Sequence, residues 1–180
     1  FQIEFNPSKI ESYRLIGYEN RLLNDEDFND DNKDAGEMGA GHMVTALYEL
    51  VPAGSDETRP SIDPLKYQPY QRISENNYTE ELLTINVRYK KPAGDVSILF
   101  EKAVNQDVRA IEMASENLRF AASVAEFGMI LKESEYKASS TLDNAIKLAR
   151  SAKGYDDEGY KGELIRLMET AKNMRVTADK

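Results

Sequence analysis

Clustered carboxylates are the first feature of this sequence with chemical potential. The run Asn24-Asp-Glu-Asp-Phe-Asn-Asp-Asp-Asn-Lys-Asp34 gathers Asp25, Asp27, Asn29, Asp30 and Asp31 into one short segment. Hard cations such as calcium take six to eight oxygen ligands, so closely spaced Asp and Asn are the right donor type. The spacing does not suit an EF-hand. Counting from Asp25, the third and fifth positions are Asp27 and Asn29, but the sixth is Asp30 instead of glycine and the twelfth is Gly36 instead of glutamate. Counting from Asp27 puts Met38 at the twelfth. What remains is a calcium loop of another kind, using Asp25, Asp27, Asn29, Asp30 and Asp31. The plainer alternative is a solvated acidic loop whose Asp and Asn side chains bond their own backbone.

The next stretch, Asp34-Ala-Gly36-Glu-Met-Gly39-Ala-Gly41-His42, is rich in glycine. A phosphate-binding loop needs Gly-Lys-Ser/Thr after its glycines and opens a helix, whereas here His42 and Met43 follow and the next element reads as a strand. Tight backbone turns leading into that strand explain these glycines better. His42 is the sole histidine and there is no cysteine, so histidine-pair metal sites and thiol chemistry are excluded. A serine triad would hang on His42 alone, and no Gly-x-Ser-x-Gly elbow exists. Nothing selects one pair of carboxylates for acid–base work. Asn77-Tyr-Thr79 matches a glycosylation sequon, a pattern common by chance. The residues support no enzyme and no resident cofactor apart from calcium at the acidic loop.

These groups sit in a chain of 180 residues with formal charge −9. The length suits one domain, or one domain with an added subdomain. The negative balance disfavours nucleic acid and anionic membrane, both of which require a basic face. No apolar run is long enough to form a transmembrane segment. Residues 1–104 carry net −8 and residues 105–180 net −1, so the acidity is local, with eight acids against Arg21 and Lys33 between Glu19 and Glu37.

The hydrophobic pattern changes at the same boundary. Phe1–Phe5 alternates strictly, Tyr13–Tyr18 is apolar on both faces, and Met43–Val51 is a third strand candidate stopped by Pro52. Leu83, Ile85, Val87 and Tyr89 share one face of a fourth, and Val96, Ile98 and Phe100 alternate in a fifth after the turn Lys91–Asp95. The proline-rich stretch from Pro52 to Asn77 reads as a long excursion, with Tyr67 and Tyr70 packed back. Beyond residue 104 the period becomes helical. Asn105 or Asp107 caps a helix reaching about Glu133, whose apolar residues cover more than one stripe. Ser140 with Asp143 resembles a capping box, Gly154 stops the second helix, and Asp156 or Asp157 opens the third. The expected fold is α+β: an antiparallel, β-sandwich-like region over 1–104, then a three-helix bundle over 105–180.

Several stretches together resemble one family. They are Ile3-Glu-Phe-Asn-Pro7, Tyr13-Arg-Leu-Ile-Gly-Tyr-Glu-Asn-Arg21, Asp27-Phe-Asn-Asp30, Lys33-Asp-Ala-Gly-Glu37 with Gly39-Ala-Gly-His42, Val44-Thr-Ala-Leu-Tyr-Glu49 and Phe120-Ala-Ala-Ser-Val-Ala-Glu-Phe-Gly128. This set resembles the C-terminal region, a domain of unknown function, of bacterial proteins with a von Willebrand factor type A domain, many of them lipoproteins. The adhesion motif of that preceding domain, Asp-x-Ser-x-Ser, is absent, since Asp95-Val-Ser97-Ile-Leu99 lacks the second serine. No ligand residue therefore carries over. The resemblance implies a chain cut from a longer protein just after its von Willebrand domain. It also implies an extracytoplasmic place at the cell envelope, with a lipid anchor on an upstream cysteine. The von Willebrand domain of the same chain is the implied partner, together with a further protein, and an open edge of the sheet would await strands from upstream. The expected function is a non-catalytic accessory module supporting adhesion or protein–protein interaction. The alternative is a calcium-binding module through the acidic loop 25–34.

Overall fold

The computed structural model describes residues 1–18, 28–33, 36, 39, 41–55, 80–105 and 108–178. It divides into two compact units, Phe1–Asp107 and Val108–Lys180. Two antiparallel sheets in the first and three helices in the second make an α+β fold. The excursion over 56–79, with Tyr67, Tyr70 and the Asn77 sequon, lies outside the described residues.

In the first unit, β1 (Gln2–Phe5), β4 (Glu81–Tyr89) and β5 (Ile98–Asn105) form a three-stranded sheet in the order β1-β4-β5. β2 (Ile10–Ile16) and β3 (Leu47–Pro52) form a two-stranded sheet. The register sets Ile3 opposite Ile85 and Phe5 opposite Leu83, so the alternation of both strands yields a single apolar face. Gln2, Glu4, Thr84, Asn86 and Arg88 occupy the other. The Phe5 ring joins the sheets, stacking on Tyr13 with centroids 4.2 Å apart and tilting against Tyr48 at 5.6 Å. Asn6 turns the chain between β1 and β2. Its side-chain amide donates to the Glu81 carbonyl at 2.7 Å, and its side-chain oxygen accepts the Ser8 amide at 3.0 Å.

Three strands depart from expectation: β2 runs Ile10–Ile16 instead of Tyr13–Tyr18, and β3 and β5 both start later than their residues suggest. Met43–Ala46 precede β3 instead of opening it, because β2 ends at Ile16 and no described residue pairs with them. β2 ends there because Gly17 and Tyr18 take φ of 77° and 61°, which turns the chain out of the sheet. β5 starts two residues later than expected and runs on to Asn105 along β4.

The helical unit contains α1 (Glu116–Leu131), α2 (Leu142–Ser151) and α3 (Tyr160–Ala178). α2 is central. Its Ala149 and Ile146 pack with Ile165 and Met168 of α3, while its Ala145 and Leu142 pack with Ile130 of α1. Phe127 of α1 touches both clusters. Ala145, Ala149 and Ala152 are fully buried, and these short side chains let the flanking helices approach α2 closely. Ser123, also fully buried, donates to the Phe120 carbonyl at 2.6 Å.

Each helix starts later than the sequence signals suggest. Asp107 lies outside the described residues, and residues 108–115 form extended chain around a short 3-10 turn, Ile111–Met113. Ser115, not Asn105, caps α1, its hydroxyl accepting the Leu118 amide at 3.2 Å. Thr141, not Ser140, caps α2 by accepting the Asn144 amide. At α3 the first helical hydrogen bond goes to the carbonyl of Gly159, which has no side chain to cap with. Asp156 reaches in from upstream instead, accepting the Lys161 and Gly162 amides at 3.1 and 2.8 Å. Gly154 follows the end of α2 with φ of 53°, and the Glu116 carboxylate lies where a Cβ would stand. Gly154→Ala should therefore cost about 1–2 kcal/mol, mostly from the left-handed backbone, since the Glu116 side chain can swing aside. Thermal unfolding of the variant checks this.

Candidate functional site

The acidic segment is described from Phe28 to Lys33, so Asn29, Asp30 and Asp31 of the five candidate ligands can be placed, while Asp25 and Asp27 lie outside the described residues. Asn29 and Asp30 are exposed. The Asp30 carboxylate turns back on its own loop, where one oxygen accepts the Asn32 backbone amide at 2.9 Å and the Asn32 side-chain amide at 3.0 Å. Asp31 reaches away to the turn between β4 and β5 and accepts the Ser97 amide at 3.3 Å. Among the described residues, no group of three or more His, Asp or Glu is placed to hold a metal ion.

Asp31 belongs to a polar cluster that the sequence alone does not reveal. The Lys90 ammonium donates to the Asp31 carbonyl. The Arg88 guanidinium stands over the Phe28 ring, 5.5 Å from its centre, and donates to the Ser97 hydroxyl at 3.1 Å. Arg88 carries only the signal of lying on the polar face of β4, Lys90 only that of continuing its alternation one residue past the strand, and Ser97 only that of an incomplete adhesion motif. Hydrogen bonds from the Ser97 side chain and backbone outweigh burial and, with the charges of Lys90 and Arg88, hold the Asp31 carboxyl below the usual carboxylate range.

His42 is exposed at a turn in which its amide bonds to the Gly39 carbonyl at 3.1 Å. Gly41 in that turn has φ of 79°, as expected of a glycine leading towards a strand.

Two carboxylates of the helical unit also serve structure, with opposite responses to pH. Burial pushes the Glu126 carboxyl up, against hydrogen bonds from the Ser140 hydroxyl and the Thr141 amide. For Asp156, burial alone would raise the pKa, but the Gly162 and Lys161 amides and the charges of Lys153 and Lys161 hold it low. A raised pKa means that the folded state prefers the protonated acid. The Glu126 contribution is therefore fully present below its ordinary value of 4.5 and is lost as pH rises through its folded value. The Asp156 contribution is present above its ordinary value of 3.8 and is lost as pH falls through its folded value. Glu126→Gln should accordingly raise the melting temperature slightly at about pH 7, with a smaller gain at about pH 4. Asp156→Ala should lower it by several degrees at neutral pH and by less in strong acid. Melting curves across pH on both variants check the two signs.

At one edge of the three-stranded sheet, as the described residues form it, β5 exposes apolar side chains on both faces. Ile98 and Phe100 are 38% and 54% exposed on one side, and Leu99 is 50% exposed on the other. Among the described residues no helix is long and apolar enough to cross a membrane.

Fold and site together define the class: a small α+β domain in which Asp30, Asp31 and Asp156 are spent on holding its own loops and helix ends. The chain belongs to the family described as "Uncharacterized protein YfbK, C-terminal", which matches residues 1–174. It is 42% identical over 170 residues to "Uncharacterized protein YfbK" of Escherichia coli (strain K12), a match taking in 94% of this chain. The chain spans 28% of the length of that relative. No solved structure matches it.

Proposed function

We propose that this chain is a non-catalytic accessory module of a longer protein, placed beside a von Willebrand factor type A domain. It supports adhesion or protein–protein interaction at the cell envelope, outside the cytoplasm and on a lipid anchor. The observation that carries the reading is β5. An edge strand offers a row of unpaired backbone groups, and natural proteins normally blunt such edges. Here Ile98, Leu99 and Phe100 expose apolar surface on both faces at one end, which suits a strand added from elsewhere in the polypeptide. The greater length of the E. coli relative supports a larger polypeptide around this domain. The sequence resemblance supplies the von Willebrand neighbour and the envelope setting. The structural employment of Asp30, Asp31 and Asp156 supports a role without catalysis.

The test compares hydrogen exchange of the β5 amides in this chain alone and in the longer polypeptide carrying the von Willebrand domain. Protection rising about a hundredfold in the longer polypeptide, and lost with Phe100→Lys, supports docking at this edge. Equal exchange in both sinks it. Calcium supplied at about 100 times its dissociation constant would stabilise a binding module by roughly 2.7 kcal/mol. Such a gain, abolished by Asp27→Ala with Asp30→Ala, would replace the accessory reading with calcium binding.

A further inference from the structure

We infer that α1 pairs antiparallel with α1 of a second copy of this chain, through the side that it turns away from its own bundle. Ser123 and Ile130, the buried residues of α1, mark its inner side. At about 3.6 residues per turn, its charged residues Glu116, Arg119 and Glu126 fall on that same half of the helix. The Glu116 carboxylate lies against Gly154, the Glu126 carboxylate accepts from Ser140 and Thr141, and the Arg119 Nε is buried. The outer half carries Leu118, Ala121, Val124, Ala125, Gly128 and Leu131, with no charge among them. Leu118, Val124 and Leu131 are 43%, 40% and 50% exposed. A surface helix normally turns its charged residues outward, and a helix that is apolar on its outer side as well is a covered one.

Gly128 indicates that the cover is another helix. Glycine inside a helix is destabilising relative to alanine, and a Cβ at this position would meet nothing within 4 Å. No contact among the described residues therefore calls for glycine here, whereas close approach of a second helix axis does. The order of the residues points to which helix. About the midpoint between Val124 and Ala125 the outer side reads the same in both directions: Leu118 mirrors Leu131, Ala121 mirrors Gly128, and Val124 mirrors Ala125. A two-fold axis at that midpoint sets each residue opposite its mirror in the second copy, so small residues meet small ones and leucines meet leucines. An interface between identical copies requires such self-complementarity, and an unrelated partner gives no reason for it. Charge allows the pairing too, because residues 105–180 carry net −1 while the bulk of the negative charge lies in residues 1–104.

The chain contains no cysteine, so cross-linking can read the register directly. Whole chain with Ala121→Cys is mixed with whole chain carrying Gly128→Cys and oxidised. The mixed disulfide should exceed either like-with-like disulfide about tenfold, because only the mixed pair lies face to face. Equal yields, or an excess of like pairs, overturn the antiparallel register. Sedimentation equilibrium then measures the association itself. One pair of 16-residue helices is a small interface, so the unaltered chain should be dimeric at about 100 μM and dissociate on dilution. Val124→Glu brings like charges together near the axis and should weaken the dimer about a hundredfold. Gly128→Leu should weaken it about tenfold by holding the helices apart, although it adds apolar surface. A monomer at about 100 μM, a dimer that survives Val124→Glu, or tighter association of Gly128→Leu each overturns the proposal. None of these variants alters β5, so the result is independent of docking at that edge.

Discussion

Met168→Ala should lower the melting temperature of the helical unit by on the order of 10–20 °C, with Met168→Leu close to unaltered. Met168 is fully buried and packs against Ile146 and Ala149 of α2 and Ile165 of its own helix, with Phe120, Phe127 and Leu164 around them. Truncating a buried Met costs about 2–5 kcal/mol, from lost transfer free energy and from the cavity left behind. A unit of this size has only about 4–10 kcal/mol to lose. The central helix cannot collapse into the gap, because Ala149 already sits against its neighbours with no side chain to move. Far-ultraviolet circular dichroism follows the helices directly. A loss under about 1 kcal/mol would mean that α3 is not held by this cluster. Leucine keeps the volume, so a large effect of Met168→Leu would point to something other than packing.

The same residues show which parts of the fold could be read from sequence. β1 was legible because its apolar face is half-buried and its polar face exposed, and in β4, half-buried on both faces, the period of two survives in the residue types themselves. β5 was legible only in part. Its continuation through Glu101, Lys102 and Ala103 lacks apolar alternation, being exposed on both faces, and it is a strand because β4 lies beside it. Met43 and Val44 show the converse. Their composition favours strand, yet with no partner strand among the described residues they remain outside it, 86% and 51% exposed. At α1, Val108, Ile111 and Met113 continue the apolar spacing upstream of the helix, but all three are exposed and the Ser115 cap fixes the start instead. The opening of α3 was approached through the right residue for a different reason. Asp156 does satisfy its first amides, but from outside the helix, because the intervening chain folds back through Gly159 at φ of 76°.

The candidate site was less legible than the fold. Clustered Asp and Asn point to oxygen-rich chemistry, but a side chain's partner is set by chain path. Ser97 lies 66 residues from Asp31, and Lys90 lies 59 residues from it. No local spacing predicts such pairs. The Asx turn of Asp30 onto Asn32 spans only two residues and is the part of the segment that sequence reasoning anticipates.

Phe5→Ala should destabilise the first unit by about 2–3 kcal/mol and leave the helical unit's melting unchanged. The estimate stays below that for a fully buried phenylalanine because Phe5 is half-exposed. It remains large because one ring serves both sheets. Ile10 is the only buried hydrophobic residue among those described in this unit, so the Phe5–Tyr13–Tyr48 cluster supplies much of what joins β1 to β2 and β3. Each aromatic pair contributes about 0.5–1.5 kcal/mol beyond its buried area, and alanine removes two pairs at once. The Asn6 hydrogen bonds to the Glu81 and Leu82 carbonyls would still tie the end of β1 to β4, so the three-stranded sheet should outlast the inter-sheet contact. Hydrogen exchange separates the two: amides of β2 and β3 should speed up most, those of Thr84 and Ile85 less, and those of α2 not at all. Phe5→Leu, which retains an apolar side chain but no ring, should recover about half the loss. Equal acceleration in β2 and β4 would show instead that the two sheets unfold as a single cooperative body, with Phe5 holding both.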